Sequence, residues 1–358
     1  AQPPPGPPGP PPEAGLAELL DRPVWMHPNM PFVVVAVLTP LAALPPLVQA
    51  AAVAGLKAIV LAGALLGAAA VANHGRHRMG DWVAGLGLLT VMPLLISEFQ
   101  HGNTNMFVLG AIVLHVWLYR RGRDVAAGAA LAFAVCLKLT PLLFAAYWLY
   151  QRNWRLLVGL GVGLVVLVVA VPLAALGPER FADATGSWLT HVLFPAVVEG
   201  APYPAHINQS LPGVFSRLLM RGNIYYGPDD VAYLDPAAGS FRYVNVLSLS
   251  PAAGRAVLTA LRLGLLAVMA WAIGWRRPAR DDGRRGLHYG LVLLGMMLLN
   301  QRAWDHHAAV LLPAGVAVWY ALAYGRLGRG VRIGCLAGTI AATAGFWLMG
   351  KSLFDLVI

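Results

Sequence analysis

Residues 119 to 155 read YRRGRDVAAGAALAFAVCLKLTPLLFAAYWLYQRNWR, and the path of this stretch decides the topology of the chain. Two basic clusters, YRRGRD and QRNWR, enclose a largely apolar run of 26 residues, 125 to 150. A membrane-crossing helix takes about 20 residues, so the run is too short for two full spans but long enough for a hairpin of two short helices. Proline at 141 disfavours helix at Thr140 and cannot continue one itself, which puts the break at KLTP. A single span would send QRNWR and the later basic loops to the side opposite the earlier ones. A broken hairpin leaves every basic loop on one side and puts Lys138 at membrane depth, at the tip of a re-entrant pair.

The rest of the chain agrees with a membrane setting. Of its 358 residues 58% are hydrophobic and 12% charged, with a mean hydropathy of +0.64, whereas soluble domains carry roughly 25% charged residues. Spanning-length apolar runs lie at 46–72, 154–177, 251–275, 306–325 and 331–350, and shorter ones at 31–44, 82–97, 105–119 and 287–300. The fold class is therefore an all-α polytopic membrane protein. Residues 1–24, AQPPPGPPGPPPEAGLAELLDRPV, are too proline-rich to pack a core and are expected to be a disordered outer segment. Residues 25–358 form the transmembrane domain, with a long polar outer loop at 178–250. Cys136 and Cys335 both fall in apolar runs and read as packing residues.

The net charge is +10. Fifteen of the 26 Lys and Arg sit in NHGRHRMGD, YRRGRD, QRNWR, RRPARDDGRR and GRLGRGVR. Short loops rich in Lys and Arg mark the cytoplasmic side. A nucleic-acid surface would instead interleave basic and aromatic residues on one folded face, so no nucleic-acid partner is expected. With those loops inside, SEFQHGNTNMFVLG (97–110) is an outer stretch, and His27, His101, His191, His206, His306 and His307 all fall on the outer side.

Ionisable groups at membrane depth usually line a cavity or pathway. Lys138, flanked by AVC and LTP, is the best placed to bind a phosphate. Arg255 and Arg262 share a helix face. Arg262 lies about 10 Å deeper, either in an interhelix ion pair or as a second phosphate ligand. Lys57 is expected to snorkel. QRAWDHHAAVLLP groups Asp305, His306 and His307. Adjacent helical histidines point about 100° apart and chelate poorly, so the sequence requires no metal, and a divalent ion stays possible. One histidine is expected on a phosphate or sugar hydroxyl and the other in packing. HINQSLPGVFSRLL (206–219) reads either as an interfacial helix or as a place where Asn208 and Gln209 meet sugar hydroxyls. No phosphate loop or dinucleotide fingerprint is present.

The succession HGNTNMFVLGAIVL, the stretch 120–155, NQSLPGVFSRLL and WDHHAAVLLP resembles glycosyltransferase family 87 of the GT-C superfamily. That family includes polyprenyl-phosphate-mannose-dependent mannosyltransferases and is close to arabinofuranosyltransferases of actinobacterial envelopes. The resemblance covers roughly residues 24 to 325. It implies a bundle of about nine to eleven membrane segments with its active site at the outer face of a bacterial-type plasma membrane. It also implies a polyprenyl-phosphate sugar donor, a lipid or glycan acceptor, and inversion at the anomeric carbon. By analogy Lys138 and His306 or His307 hold the donor phosphate, and Asn103, Asn105, Asn208 and Gln209 contact sugar or acceptor; Arg262 joins the candidate phosphate ligands and His101 the candidate sugar or acceptor contacts. Where the family shows G-Q-x-N, this chain has GNTN, with Asn103 in place of glutamine. The superfamily base is typically an aspartate in the first outer loop. Asp21 lies in the matching loop, Glu98 beside the GNTN motif and Asp305 against the histidine pair, and these three are the candidate bases. The first transmembrane helix that should precede that loop is not among these residues, so the chain is expected to be an N-terminal truncation or a member without that helix. A flippase of lipid-linked sugars would share the deep cations but should show internal repeats, and no half-to-half similarity is visible. A catalytically inactive family member is the third possibility.

Overall fold

The computed structural model describes residues 30–72, 79–194, 208–220 and 245–349. These residues form helices and no strand. The first helix, α1, runs through Pro31–Val33, a π-helical Val34–Leu38 and Thr39–Ala42. It is followed by α2 (Pro46–Ala72), α3 (Asp81–Gln100), α4 (Asn105–Arg120), α5 (Asp124–Leu137) and α6 (Leu142–Tyr150). Helix α7 joins Trp154–Leu164, a π segment Val165–Ala170 and Val171–Leu176. Then come α8 (Pro178–Trp188, continuing as π-helical Leu189–Leu193), α9 (Leu211–Leu219), α10 (Pro251–Ile273) and α11 (Arg284–Leu298). A 3-10 turn, Asp305–Leu311, leads into α12 (Leu312–Tyr324), and α13 spans Arg329–Met349. Among the described residues six helical stretches are long and apolar enough to cross a membrane, and α4 and α5 are shorter apolar helices. The segment 178–250, read from sequence as a polar loop, contains α8 and α9 where it is described. The proline-rich residues 1–24 lie outside the described residues.

The 125–150 run folds as a hairpin. Helix α5 stops at Lys138, whose backbone is extended (φ −160°, ψ 138°), and α6 starts after Pro141. At about 1.5 Å per residue the two arms are roughly 20 and 14 Å long, so neither spans a bilayer alone. Both arms return to one end of the bundle. Asp124 is held by Arg280 through a two-pronged pair of 2.5 and 2.8 Å, and Arg280 also donates to the Tyr119 carbonyl. At the other foot Gln151 and Arg152 reach the carbonyls of Gly274 and Trp275, and the Arg152 guanidinium covers the Trp275 ring. In that same region Gly80 donates to the Tyr324 hydroxyl. Beside α11, the neighbouring Arg284 guanidinium draws the Asp282 carboxyl down to about 2. The arginine-rich loops, where described, thus gather at one end.

A buried histidine holds the hairpin to α4. Trp148 of α6 donates its indole N–H to Nε2 of His115, so the His115 proton sits on Nδ1 and is donated to the Ala127 carbonyl of α5. One ring thereby links three helices and leaves neither nitrogen unsatisfied. Another proline is used differently. Pro93 in α3 has no N–H for the Leu89 carbonyl, and the Trp347 indole of α13 takes that acceptor at 3.1 Å.

Helices α5 and α7 both rise from the basic end and touch backbone to backbone. A Cβ on Gly128 would meet the Leu156 carbonyl at 2.1 Å, and one on Gly159 would meet the Val125 carbonyl at 2.1 Å. A side chain at either position would pry the hairpin from α7. Gly159→Leu is expected to lower the melting temperature of the detergent-solubilised protein sharply, by the equivalent of about 3 kcal/mol. Gly161→Leu, on the open side of the same helix with nothing near its Cβ, should leave it within a few degrees.

Candidate functional site

The end opposite the basic loops collects polar side chains from five places: the C-terminus of α3, the α3–α4 turn, the hairpin tip, the start of α9 and the 299–307 connection. The turn is short because Gly102 adopts φ +63°, a left-handed conformation that costs glycine little. It lets α4 begin at Asn105 directly beside the last turn of α3.

The deepest part is a chain of charges and amides. Glu98 is fully buried. Its Oε1 accepts from Lys57 Nζ at 2.9 Å and from the Met106 N–H at 3.3 Å, and its Oε2 accepts from Asn105 Nδ2 at 2.8 Å. Lys57, 1% exposed, also donates to the Glu98 carbonyl at 2.9 Å. The expectation that Lys57 snorkels is therefore corrected. The α3 carboxylate, 41 residues away, captures the amine inside the bundle because pairing there costs less than leaving either charge alone. The Asn105 Oδ1 then accepts from Lys138 Nζ at 2.8 Å. Lys138 is partly buried and within electrostatic reach of both Glu98 and His307. No described carboxylate forms an ion pair with it.

A second network lies beside the first. Ser97 donates to Asp305 Oδ2 at 2.7 Å, and Asp305 Oδ1 accepts from the His306 N–H at 2.8 Å. His101 Nδ1 lies 2.8 Å from the Ser97 carbonyl, and its ring stacks on His306 at 4.7 Å between centroids. Asn103 uses its Oδ1 on the Thr104 N–H, so its Nδ2 is the donor to His306 Nε2 at 2.9 Å. That leaves the His306 proton on Nδ1, 3.3 Å from Asp305 Oδ1. The two histidines sit on a 3-10 turn with their rings edge to face at 87°. His306 is buried, and the partly exposed His307 stacks on Trp304. Asp305 keeps 36% of its side chain exposed. Among the described residues no three His, Cys, Asp or Glu side chains converge as metal ligands.

Asn208 turns inward. Its Oδ1 accepts from the Ser210 N–H and hydroxyl and from the Ala303 N–H, and its Nδ2 donates to the Gln301 carbonyl at 3.0 Å. Gln209 is exposed, with its backbone N–H on the Ala303 carbonyl. Arg262 donates to Gln301 Oε1 at 2.6 Å, a neutral partner rather than a carboxylate. Asp21, His27 and His206 lie outside the described residues. Sequence reasoning thus assembled Lys138, Asn105, Asn103, Asp305 and the histidines at one place. It missed Ser97, Gln301 and the Lys57–Glu98 pair, whose only sequence signal is a lysine and a glutamate in otherwise apolar helices.

An apolar groove of about 960 Å³ runs down the outside of the bundle between α1, α2, α4 and α5. Phe107 and Leu137 line it at the site end, and Trp117 and Ala70 toward the basic end. Leu137 directly precedes Lys138, so the groove and the cation share the hairpin tip.

Fold and composition together define an all-α polytopic membrane protein with a polar site at one end. Glycosyltransferase family 87 matches residues 30–300. The chain belongs to that family and is a membrane glycosyltransferase. The match contains Lys57, Glu98, the GNTN turn, Lys138, Asn208 and Arg262, and ends before Asp305. No curated protein and no solved structure matches the chain.

Asn208→Ala removes the group that fastens the start of α9 to residues 301–303 and strands two buried N–H groups. It is expected to destabilise the protein by about 1–3 kcal/mol, read as a lower melting temperature.

Proposed function

We propose that the protein transfers a sugar from a polyprenyl-phosphate donor to a lipid or glycan acceptor of the cell envelope, at the outer face of a bacterial-type plasma membrane. The observation that carries this reading is the placing of Lys138, with no carboxylate partner among the described residues, at the head of an apolar groove. An amphiphile with an isoprenoid tail and an anionic head fits that pair of features. The outward orientation rests on the gathering of the arginine-rich loops at the far end.

In the reaction the acceptor hydroxyl attacks the anomeric carbon from the face opposite the phosphate, which inverts the configuration there. Its proton passes to Asp305, the half-open carboxylate, while Ser97 and the His306 N–H hold that side chain in place. The new bond forms between acceptor oxygen and anomeric carbon. The bond from that carbon to the phosphate oxygen breaks, and the polyprenyl phosphate leaves with the electron pair. Lys138 and His307 face the charge that develops on the phosphate, a contribution largest in a site with little water. His306, buried with Nε2 on Asn103 and Nδ1 3.3 Å from Asp305 Oδ1, orients Asp305 rather than touching substrate. His101, Asn103, Gln209 and Arg262 border the space for sugar and acceptor. Glu98 and Asn105 support Lys138, and Asn208 supports the loop that carries Gln209.

The test is transfer from a panel of polyprenyl-phosphate sugars to extracted lipid and glycan acceptors. Wild type should transfer at least one sugar with inversion, and Lys138→Ala and Asp305→Asn should each lose at least about 100-fold in rate while remaining folded. A wild-type protein that moves lipid-linked sugars across vesicles and transfers none would overturn the enzyme reading.

A further inference from the structure

Lys57 has no role in the reaction drawn above, yet it is among the most deeply buried large side chains of the protein. Burying an ammonium and a carboxylate is costly, and an apolar pair of the same size is often as stable. Stability alone therefore explains the pair poorly. Its consequence for charge is more telling. Lys57, Glu98 and Lys138 lie in one hydrogen-bonded chain, and their formal charges sum to +1. Lys57 is in direct contact with Glu98, whereas Lys138 is one amide removed from it. The carboxylate is thus neutralised from behind.

Resting on the reading of Lys138 as a phosphate ligand, we infer that Lys57 is a positioning residue for the donor phosphate. It engages Glu98, Glu98 orients Asn105, and the Lys138 charge remains available to an anion. The geometry of Asn105 makes the chain directional. Its Nδ2 faces the carboxylate and its Oδ1 faces the ammonium, so rotating the amide by 180° would set donor against donor at Lys138. Without Lys57 the buried carboxylate has, among the described residues, Lys138 as the cation left in its network, and an incoming phosphate must compete with it. With both Lys57 and Glu98 replaced by neutral groups that competition disappears. A glutamine at 98 can still accept from Asn105, so Lys138 should regain its anion.

The experiment titrates the purified protein in lipid nanodiscs with farnesyl phosphate, and with farnesol as the uncharged control. Wild type should prefer the phosphate by at least about tenfold. Lys57→Met should cut that preference by about tenfold, leave farnesol binding unchanged and raise KM for the sugar donor more than it lowers kcat. Lys57→Met/Glu98→Gln should restore the preference to within about threefold of wild type. A purely structural role would weaken both ligands together and would not be rescued by removing the second charge. A folded Lys57→Met variant with wild-type preference, or a folded double variant that stays tenfold impaired, overturns the inference while leaving the donor-phosphate reading intact. If Lys57→Met does not fold, the double variant decides by the same criterion. If wild type shows no preference for farnesyl phosphate, the donor-phosphate reading fails and this inference with it.

Discussion

Short loops rich in arginine favour the cytoplasmic side, and a chain with five of them meets that preference most simply when all five lie on one side. The stretch between YRRGRD and QRNWR is where it would fail, because its length suits one crossing and the count of helices requires none or two. The break at Lys138–Pro141 resolves the conflict. Two short arms leave the basic end and come back to it, held there by Arg280 on Asp124 and by the Arg152–Trp275 contact. The close glycine contacts between α5 and α7 and the His115 clamp on α4 fix the arms to the bundle.

The same break creates the site. The arm that ends at Lys138 carries the lysine to the end of the bundle opposite the basic loops. The surrounding residues handle that charge in two ways. Asn105 accepts one of its hydrogens, and the Lys57–Glu98 pair settles the nearby carboxylate without consuming Lys138. The connection at 299–307 then adds Asp305, held by Ser97 at the end of α3, and the histidine pair, of which His306 is held by Asn103 of the α3–α4 turn. Topology and chemistry therefore share one cause: the hairpin orients the loops and delivers the cation.

The spans were legible in the sequence because length and hydropathy decide them, and the run read at 46–72 is the helix Pro46–Ala72. The hairpin was legible through parity and Pro141. Pairing across the bundle was not. Nothing along α2 indicates that Lys57 meets a glutamate 41 residues on, and a lysine in an apolar helix reads most simply as snorkelling. Asn208 illustrates a related difficulty: an amide that faces a sugar and one that knits two loops look alike until the fold sets the direction of the side chain. His115 gave no signal at all, since a histidine in an apolar run carries no mark of its partners Ala127 and Trp148. The family resemblance supplied the order of motifs, and the geometry distinguishes which members of each motif remain open.

The most direct test of the account is the sidedness of the two feet of the hairpin. In a background carrying Cys136→Ala and Cys335→Ala, single variants Arg121→Cys, Arg155→Cys and Gln209→Cys are labelled with a membrane-impermeant maleimide in vesicles of known orientation. The account predicts that positions 121 and 155 react from one side and position 209 from the other. Labelling of positions 121 and 155 from opposite sides would contradict it, because the stretch would then be a single span and Lys138 would not lie at the tip of a hairpin.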